Sequence, residues 1–149
     1  MALEDLGVSY KSIFGSEINE RLRKMTQTNF GTQISYASIF DRQNDSPSTP
    51  QVDLYLSGFP CQPFSSSGLR KGDQDPRGQI IPAILNYLRV KSPKIFILEN
   101  VLGFVILEKG RVKKELMSLL AQLPYCIYDQ VLNTEEPVSY THLTLPTKA

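Results

Sequence analysis

Short apolar runs typical of β-strands alternate along this chain with segments whose apolar residues recur at helical spacing. The strand-like runs are residues 12–14, 34–40, 52–56, 94–98 and 125–132. Strands that alternate with helices need crossover connections, and such connections join strands in parallel. The sequence therefore predicts an open α/β fold with a mostly parallel sheet.

Three apolar stripes predict the helices of this fold. They are Ile18, Leu22 and Met25; Ile80, Ile81, Ile84, Leu85 and Leu88; and Val112, Leu116, Leu119, Leu120 and Leu123. Pro82 lies near the start of the second helix, where its missing N–H is harmless, and Pro124 ends the third. Each stripe is expected to face a buried surface.

Composition limits the class of protein. A chain of 149 residues has ordinary single-domain size, and 41% hydrophobic residues with a net charge of +1 argue against disorder. No apolar run approaches the roughly 20 residues of a membrane helix, and no signal segment opens the chain. Two cysteines do not make a disulfide scaffold, so we expect an intracellular location, cytoplasmic in a bacterium or nuclear in a eukaryote. The net charge of +1 excludes a strongly basic protein that binds nucleic acid through its overall positive charge.

Polar residues follow three of the predicted strands. Glu17 follows the first run, a loop containing Cys61 follows the third, and Glu99 closes the fourth. Open parallel sheets bind ligands outside the carboxyl ends of their strands. Two acids and a thiol are therefore expected along one edge of the sheet, where they predict a ligand pocket.

Each of these residues also has a purely structural interpretation. Cys61 lies between Pro60 and Pro63 in a loop that would aim its thiol, and the sequence fits a nucleophile and a small structural side chain equally well. Burial of Glu99 would favour a protonated, hydrogen-bond-donating carboxyl, but a capping or salt-bridged glutamate fits too. Glu17 fits a grip on ribose hydroxyls or a solvated acid before a helix.

The second cysteine and the single histidine limit the chemistry. Cys126 lies inside an apolar run and is predicted to be a small buried side chain. His142 lies far out in the tail, so the body of the chain offers no Cys–His pair. A cysteine with a glutamate as its polar companion suits addition to an electron-poor ring better than acyl transfer. No cluster has metal-ligand spacing, and no metal is expected.

Three motifs resemble those of the DNA (cytosine-5)-methyltransferases in their order and spacing. They are Gly58–Ser65 (GFPCQPFS), Arg77-Gly78 and Glu99-Asn100-Val101. Residues 1–4 and 16–18 are similar to the family's segment after its first glycine-rich loop, and residues 131–133 to a later strand. The resemblance covers nearly all of residues 1–136. It implies a partial catalytic domain with a Rossmann-like fold that depends on S-adenosylmethionine.

The resemblance also implies a role for each motif residue. Cys61 would attack C6 of a flipped-out cytosine as the thiolate, and Glu99 would hold the ring at N3 and the amino group. C5 would then take a methyl group from S-adenosylmethionine, and loss of the C5 proton would release Cys61. The cofactor would be bound by Glu17 at the ribose, Ile39 at the adenine, and Pro60. The DNA would be contacted by Gln62, Ser65, Arg77, Asn100 and Val101.

Some positions depart from the family pattern. Ser38 stands where an aspartate usually precedes the residue matching Ile39, so a contact to the adenine amino group is expected to be lost, and Tyr55 replaces a common aliphatic residue. The glycine-rich cofactor loop with its strand, the later arginine motif and the target-recognition region have no counterpart in the chain. We therefore expect a fragment without its first, central strand and its C-terminal part, weak or inactive alone.

Residues 137–149 break the resemblance and are expected to be a non-native tail. The segment VSYTHLTLPTKA resembles the translation of a sequencing adapter, and a native C-terminal strand is the alternative. Two other functions stay open for the body of the chain. One is a relative that acts on transfer RNA, although Gly58-Phe59 before Pro60-Cys61 favours DNA, and the other is a non-catalytic remnant.

Overall fold

Two pairs of parallel strands form the sheets of the computed structural model, which describes residues 2–44, 48–60 and 79–132. The described helices and strands are α1 (Ala2–Asp5), β1 (Phe14–Ser16), α2 (Glu20–Phe30), β2 (Ile34–Tyr36), β3 (Leu54–Gly58), α3 (Ile80–Lys91), β4 (Ile95–Glu99), α4 (Leu102–Ile106) and α5 (Arg111–Leu120). Short 3-10 turns cover Ile39–Asp41 and Leu107–Gly110. The chain divides into two units after Asn100. The predicted α/β class with parallel strands is confirmed.

The first unit contains both strand pairs. β1 pairs with β2 from Phe14 opposite Ile34, and β3 pairs with β4 from Leu54 opposite Ile95. The connection from β1 to β2 contains α2, and α3 lies between β3 and β4 in the chain, as parallel pairing requires. The strands that the structure describes form two separate pairs, and not the single sheet that the alternating pattern predicts.

The helix α3 supplies most of the core of the first unit. The ring of Tyr87 is fully buried and stacks on that of Tyr55 in β3, with centroids 4.6 Å apart. Its hydroxyl donates a hydrogen bond to the carbonyl oxygen of Pro50 at 2.8 Å. The buried side chains of α3 are Ile81, Ile84, Leu85, Tyr87 and Leu88. The predicted stripe is therefore buried, apart from its first residue.

Arg42 joins the two strand pairs through aromatic rings. Its guanidinium carbon lies 5.7 Å from the ring centroids of Phe14 in β1 and Tyr55 in β3, and 5.3 Å from that of Tyr87. The residue is only 7% exposed, and Nη1 donates to the Tyr55 hydroxyl at 3.2 Å. Nη2 is buried and has no hydrogen-bond partner among the residues that the structure describes. Attraction between the cation and the ring faces offsets part of the cost of burying this charge.

The strand β2 is shorter than the predicted run 34–40 because a capping box follows it. The Ser38 hydroxyl accepts a hydrogen bond from the Phe40 N–H at 3.2 Å, and Oδ2 of Asp41 accepts one from the Ser38 N–H at 2.7 Å. Such local bonds between side chains and backbone compete with the strand ladder. The chain therefore turns at Ser38 and continues as the 3-10 turn Ile39–Asp41.

The apolar stripe of α2 is not buried, contrary to its prediction. The helix forms as expected, with Asn19 as its N-cap and Gly31 at a φ of 59° as its C-cap, but none of its residues is buried. Ile18 is 82% exposed, and Leu22 and Met25 are exposed as well. Two strands of three residues each offer too little surface to cover a helix face.

In the second unit, α5 carries the predicted amphipathic pattern. Its buried residues are Val112, Leu116 and Leu120, and Leu123 is buried just after the helix. On its polar side, Arg111 pairs with Glu108 and with Glu115 four residues on. The stripe predicted for the third helix is confirmed at these four apolar positions.

The strand predicted at 125–132 is wrong. This segment has no regular secondary structure, and the structure describes no strand in this unit with which it could pair. Strand conformation depends on a neighbouring ladder, which an apolar run cannot supply by itself. Cys126 is exposed, so its prediction as a small buried side chain is wrong for the same reason.

Candidate functional site

The described members of the predicted site lie at or just after the carboxyl ends of the strands. Glu17 follows β1, Ile39 begins the turn after β2, Pro60 follows β3 by two residues, and Glu99 ends β4. In parallel strand pairs, ligands bind outside the carboxyl ends of the strands, which is where these residues lie. The remaining predicted residues lie outside the described ranges: Cys61, Gln62, Ser65 and Arg77.

Glu99 lies beside Gly58 in the register of the two central strands of the site. A Cβ atom added at Gly58 would lie 3.3 Å from Oε2 of Glu99, closer than most contacts of real Cβ atoms. The missing side chain at Gly58 therefore leaves room for the carboxylate to extend along the strand ends. No described residue forms a hydrogen bond or ion pair with that carboxylate, so both of its oxygens are available to a ligand.

The expected burial of Glu99 is not found. Its strand neighbour Leu98 is half-buried, but Glu99 itself is exposed at the end of β4. Glu99 is the last residue of β4, paired with Gly58, so its carboxylate lies at the open end of the strand and reaches solvent.

Asn100 fastens the loop after β3 to the end of β4. Its side-chain Nδ2 donates a hydrogen bond to the backbone carbonyl oxygen of Phe59 at 2.8 Å. Phe59 is buried, and Pro60 next to it is exposed. The side chain predicted to contact DNA thus binds the chain's own backbone two residues before Cys61. Sequence reasoning missed this contact because its acceptor is a carbonyl group that every residue type carries.

Glu17 is held by its neighbours at the end of β1. Its Oε1 accepts a hydrogen bond from the Asn19 N–H at 2.7 Å, and its own N–H donates to the Tyr36 carbonyl in β2 at 3.2 Å. Among the described residues, its second oxygen has no partner. The carboxylate is therefore oriented and can still accept a hydrogen bond.

Two apolar side chains follow the strands of the same pair, β1 and β2. Ile39 is half-buried at the start of the turn after β2, the strand that pairs with β1. Ile18 directly follows Glu17 and is exposed at this edge. The sequence pattern assigned Ile18 to the buried face of α2, and its position just after an acidic residue at a strand end was the available signal for a site residue.

Val101 begins the second unit. It is the N-cap residue of α4, has an extended backbone and is 60% exposed. Its carbonyl oxygen accepts a hydrogen bond from the Phe104 N–H at 2.9 Å, which closes the first turn of α4. The first residue of the Glu99-Asn100-Val101 motif thus ends a strand, and the last caps a helix.

Neither a metal-binding cluster nor a membrane-spanning helix occurs within residues 2–44, 48–60 and 79–132. In those ranges, no group of three or more histidine, cysteine, aspartate or glutamate side chains could hold a metal ion. None of the helices in the same ranges is long and apolar enough to span a bilayer.

Comparison with known proteins gives consistent matches. The chain is 38% identical over 124 residues to the Type II methyltransferase M.NgoBI of Neisseria gonorrhoeae. The aligned region makes up 83% of this chain and 38% of that protein. It is 38% identical over 125 residues to the Type II methyltransferase M.HaeII of Haemophilus aegyptius, with the same two shares. The Type II methyltransferase M.NlaX of Neisseria lactamica is 36% identical over 126 residues, 85% of this chain and 40% of its own length.

The chain thus spans about two fifths of the length of these relatives. Its residues 1–136 match the family described as C-5 cytosine-specific DNA methylase. The matched span contains the strand ends that carry Glu17, Pro60 and Glu99. The chain belongs to the C-5 cytosine-specific DNA methylase family.

Proposed function

We propose that this chain is the cofactor-binding and catalytic part of an enzyme that methylates C5 of cytosine in DNA. The observation that carries the proposal is the hydrogen bond from Asn100 to Phe59, together with the place of Glu99 beside Gly58. These contacts hold the residues before Cys61 against the strand end that presents Glu99. A nucleophile and a carboxylate on neighbouring strand ends suit attack on a heteroaromatic ring.

Cys61 is the proposed nucleophile. Its thiolate forms a bond to C6 of the cytosine, and the electron pair of the C5–C6 double bond moves towards C5. C5 would then take the methyl group, whose bond to the donor's sulfonium sulfur would break with the electron pair left on that sulfur. A base would remove the C5 proton, which restores the C5–C6 double bond and releases Cys61 as the thiolate. The target carbon is inaccessible inside a duplex, so the base must leave the stack.

Glu99 is the proposed partner of the cytosine ring. Its carboxyl group faces N3 and the exocyclic amino group, and a proton shared with N3 withdraws electrons from C6. The structure supports this role because the carboxylate has no competing partner among the described residues. Bound DNA supplies the desolvation that the exposed side chain lacks in the free chain.

The DNA backbone and the space left by the flipped base are assigned to a further group of residues. They are Gln62, Ser65 and Arg77 from the loop after β3, and Val101 at the start of α4. Asn100, whose side chain also holds the Phe59 carbonyl, is assigned to the same group. Polar contacts to phosphate set the register of the protein on DNA.

S-adenosylmethionine is the proposed methyl donor, and it supplies an electrophilic methyl group when it is bound. The residues present fit such a nucleoside, because the oriented Glu17 carboxylate has one oxygen available for ribose hydroxyls. Ile18 and Ile39 offer apolar surface for a planar base, and Pro60, which follows β3, is assigned to the same cofactor. The side chains of Ser38 and Asp41 each accept a hydrogen bond from the other residue's backbone N–H in the capping box, so both are used within the chain.

The proposed fold of the whole enzyme is Rossmann-like. We propose residues 1–136 as part of its catalytic domain and 137–149 as a segment foreign to it. Activity of this chain alone is expected to be weak, since it spans about two fifths of its relatives. The names of those relatives and of the family favour DNA over transfer RNA.

The proposal is tested by trapping the covalent intermediate. The chain, and a longer reading frame that contains it, are incubated with S-adenosylmethionine and a duplex containing 5-fluorocytosine. In this base, fluorine replaces the C5 hydrogen, so no C5 proton can be removed and the enzyme stays bound to C6. A denaturant-resistant complex on a gel is expected. Cys61→Ser should abolish it, whereas Cys126→Ser removes an exposed thiol and should leave it unchanged.

Persistence of the complex in Cys61→Ser would remove Cys61 as the nucleophile. No complex with either the chain or the longer frame would contradict the function itself. Glu99→Gln is expected to slow formation of the complex by about a hundredfold or more, as loss of an acid–base group does.

A further inference from the structure

Arg23, in the first turns of α2, binds the backbone at the end of β1. Its Nη1 donates a hydrogen bond to the carbonyl oxygen of Glu17 at 2.6 Å and makes a longer one to that of Ile18 at 3.4 Å. The side chain is half-buried, unlike those of Arg21 and Lys24 on the same helix. Arg23 therefore fastens the strand end to the helix that follows it.

The guanidinium of Arg23 binds main-chain oxygens and not the carboxylate of Glu17. Arginine normally pairs with a carboxylate through two parallel hydrogen bonds. In this structure, Arg23 binds the main-chain carbonyl of Glu17 and leaves the carboxylate to the Asn19 N–H. Within the described ranges, one carboxylate oxygen thus has no partner, whereas a bidentate salt bridge to Arg23 would have occupied it.

Glu17 is consequently fixed from several directions. Its N–H donates to Tyr36 in β2, its carbonyl accepts from Arg23, and its side chain accepts from Asn19. Asn19 is itself held, because its Oδ1 accepts a hydrogen bond from the Leu22 N–H at 3.2 Å. A carboxylate that is oriented before binding loses less entropy when a ligand arrives.

We propose that Arg23 is a positioning residue that holds Glu17 in the orientation needed to accept hydrogen bonds from the ribose hydroxyls of an adenine nucleoside. This inference rests on the proposed cofactor function. Arg23 acts through Glu17 and does not itself touch the nucleoside. Replacing Arg23 should therefore weaken binding only of ligands that carry the ribose hydroxyls. A variant that was merely misfolded would bind ligands with and without these hydroxyls more weakly.

Calorimetric titration of the chain with two ligands tests that dependence. One is S-adenosylhomocysteine, and the other is its 2′,3′-dideoxy analogue, which keeps the adenine and the amino acid part. We expect the unaltered chain to bind S-adenosylhomocysteine at least about tenfold more tightly than the dideoxy analogue, because a hydrogen bond to a charged group contributes that much affinity. Arg23→Ala should bring this ratio close to one, as Glu17→Gln does.

Matched variants separate positioning from folding. Arg21→Ala removes an exposed arginine from the same helix and should change neither affinity. Arg23→Lys keeps a cationic donor and should restore part of the ratio. Combining Glu17→Gln with Arg23→Ala should give no further loss. If Arg23→Ala weakened both ligands equally, or left the ratio unchanged, the positioning role would be overturned.

Hydrogen exchange of the Asn19 amide gives a second measurement that needs no ligand. Arg23→Ala should accelerate this exchange several-fold by loosening the turn, and Arg21→Ala should not. Unchanged exchange would overturn the proposal. If the unaltered chain and the longer reading frame both failed to bind S-adenosylhomocysteine, the cofactor function would fall, whereas the exchange measurement would still report on Arg23.

Discussion

Gly58 and Glu99 lie side by side at the ends of β3 and β4, and a Cβ atom at Gly58 would lie 3.3 Å from Oε2 of Glu99. The backbone of Gly58 does not have the positive φ found at Gly7, Gly31 and Gly110. Its lack of a side chain therefore matters for space and not for backbone conformation. Gly58 shapes the site by leaving the carboxylate where the strand end places it.

Gly58→Ala should impair the site while the fold is kept. The new methyl group displaces the Glu99 carboxylate by a few tenths of an ångström or more, and we expect formation of the 5-fluorocytosine complex to slow about ten- to a hundredfold. Gly103→Ala is the matched control, because its Cβ would meet Val101 at an ordinary 3.8 Å. Equal rates in Gly58→Ala and the unaltered chain would show that the carboxylate is not confined there.

Asn100→Ala should lower the free energy of unfolding by about 1 kcal/mol, since it removes the hydrogen bond to the Phe59 carbonyl. Asn100→Asp should be worse, because it places a second acceptor against that carbonyl. Urea unfolding and complex formation measure the two effects. Asn29→Ala changes an exposed asparagine on α2 and serves as the control. An Asp variant as stable as the Ala variant would contradict the donor role.

Arg42→Ala should destabilise the first unit by about 2–4 kcal/mol, because it removes a buried side chain that contacts three rings. Arg42→Met keeps apolar volume and removes the buried charge with its unpaired Nη2, so it should cost much less. Urea unfolding checks both, with the exposed Arg89→Ala as control. If Arg42→Met were as unstable as Arg42→Ala, the charge itself would be the stabilising feature.

Burial raises the pKa of Tyr87 from 10.0 to about 12, and the neighbouring Tyr55 adds to the rise. The folded chain therefore holds this proton more tightly than the unfolded chain. The resulting stability is complete below pH 10 and is lost as the pH rises from 10 towards 12. When the pH is raised, tyrosinate absorbance should increase in an early phase and a later one that belongs to Tyr87. Tyr87→Phe should remove the later phase, whereas Tyr128→Phe, which changes an exposed tyrosine, should retain it. A late phase that survives in Tyr87→Phe would assign it to another tyrosine.

Much of the secondary structure follows from local patterns. The stripes that predict α3 and α5 lie within single helices, so apolar spacing alone reveals them. The first four strand-like runs each contain or adjoin a strand, with ends displaced by a few residues. The run 34–40 is the exception in length, because the capping box at Ser38 competes with the ladder.

Burial could not be predicted in the same way. Ile18, Cys126 and Glu99 each lie in a pattern that suggests cover, and each is exposed. A pattern shows that a face is apolar, whereas burial requires another element to pack on it. The site shows the same division. Motif residues at strand ends are visible in the sequence, and the roles of those outside the described ranges stay predictions.

The sequence by itself determined the family, the alternation of strands and helices, and the acids that follow the strands, because residue type and spacing encode them. Only the tertiary structure decided how those acids are presented. Asn100 and Arg23 act on backbone carbonyls, and Arg42 acts on rings distant in the chain. Hydrogen bonds to carbonyls and contacts between remote rings depend on how the chain folds back on itself, which residue type and spacing do not specify.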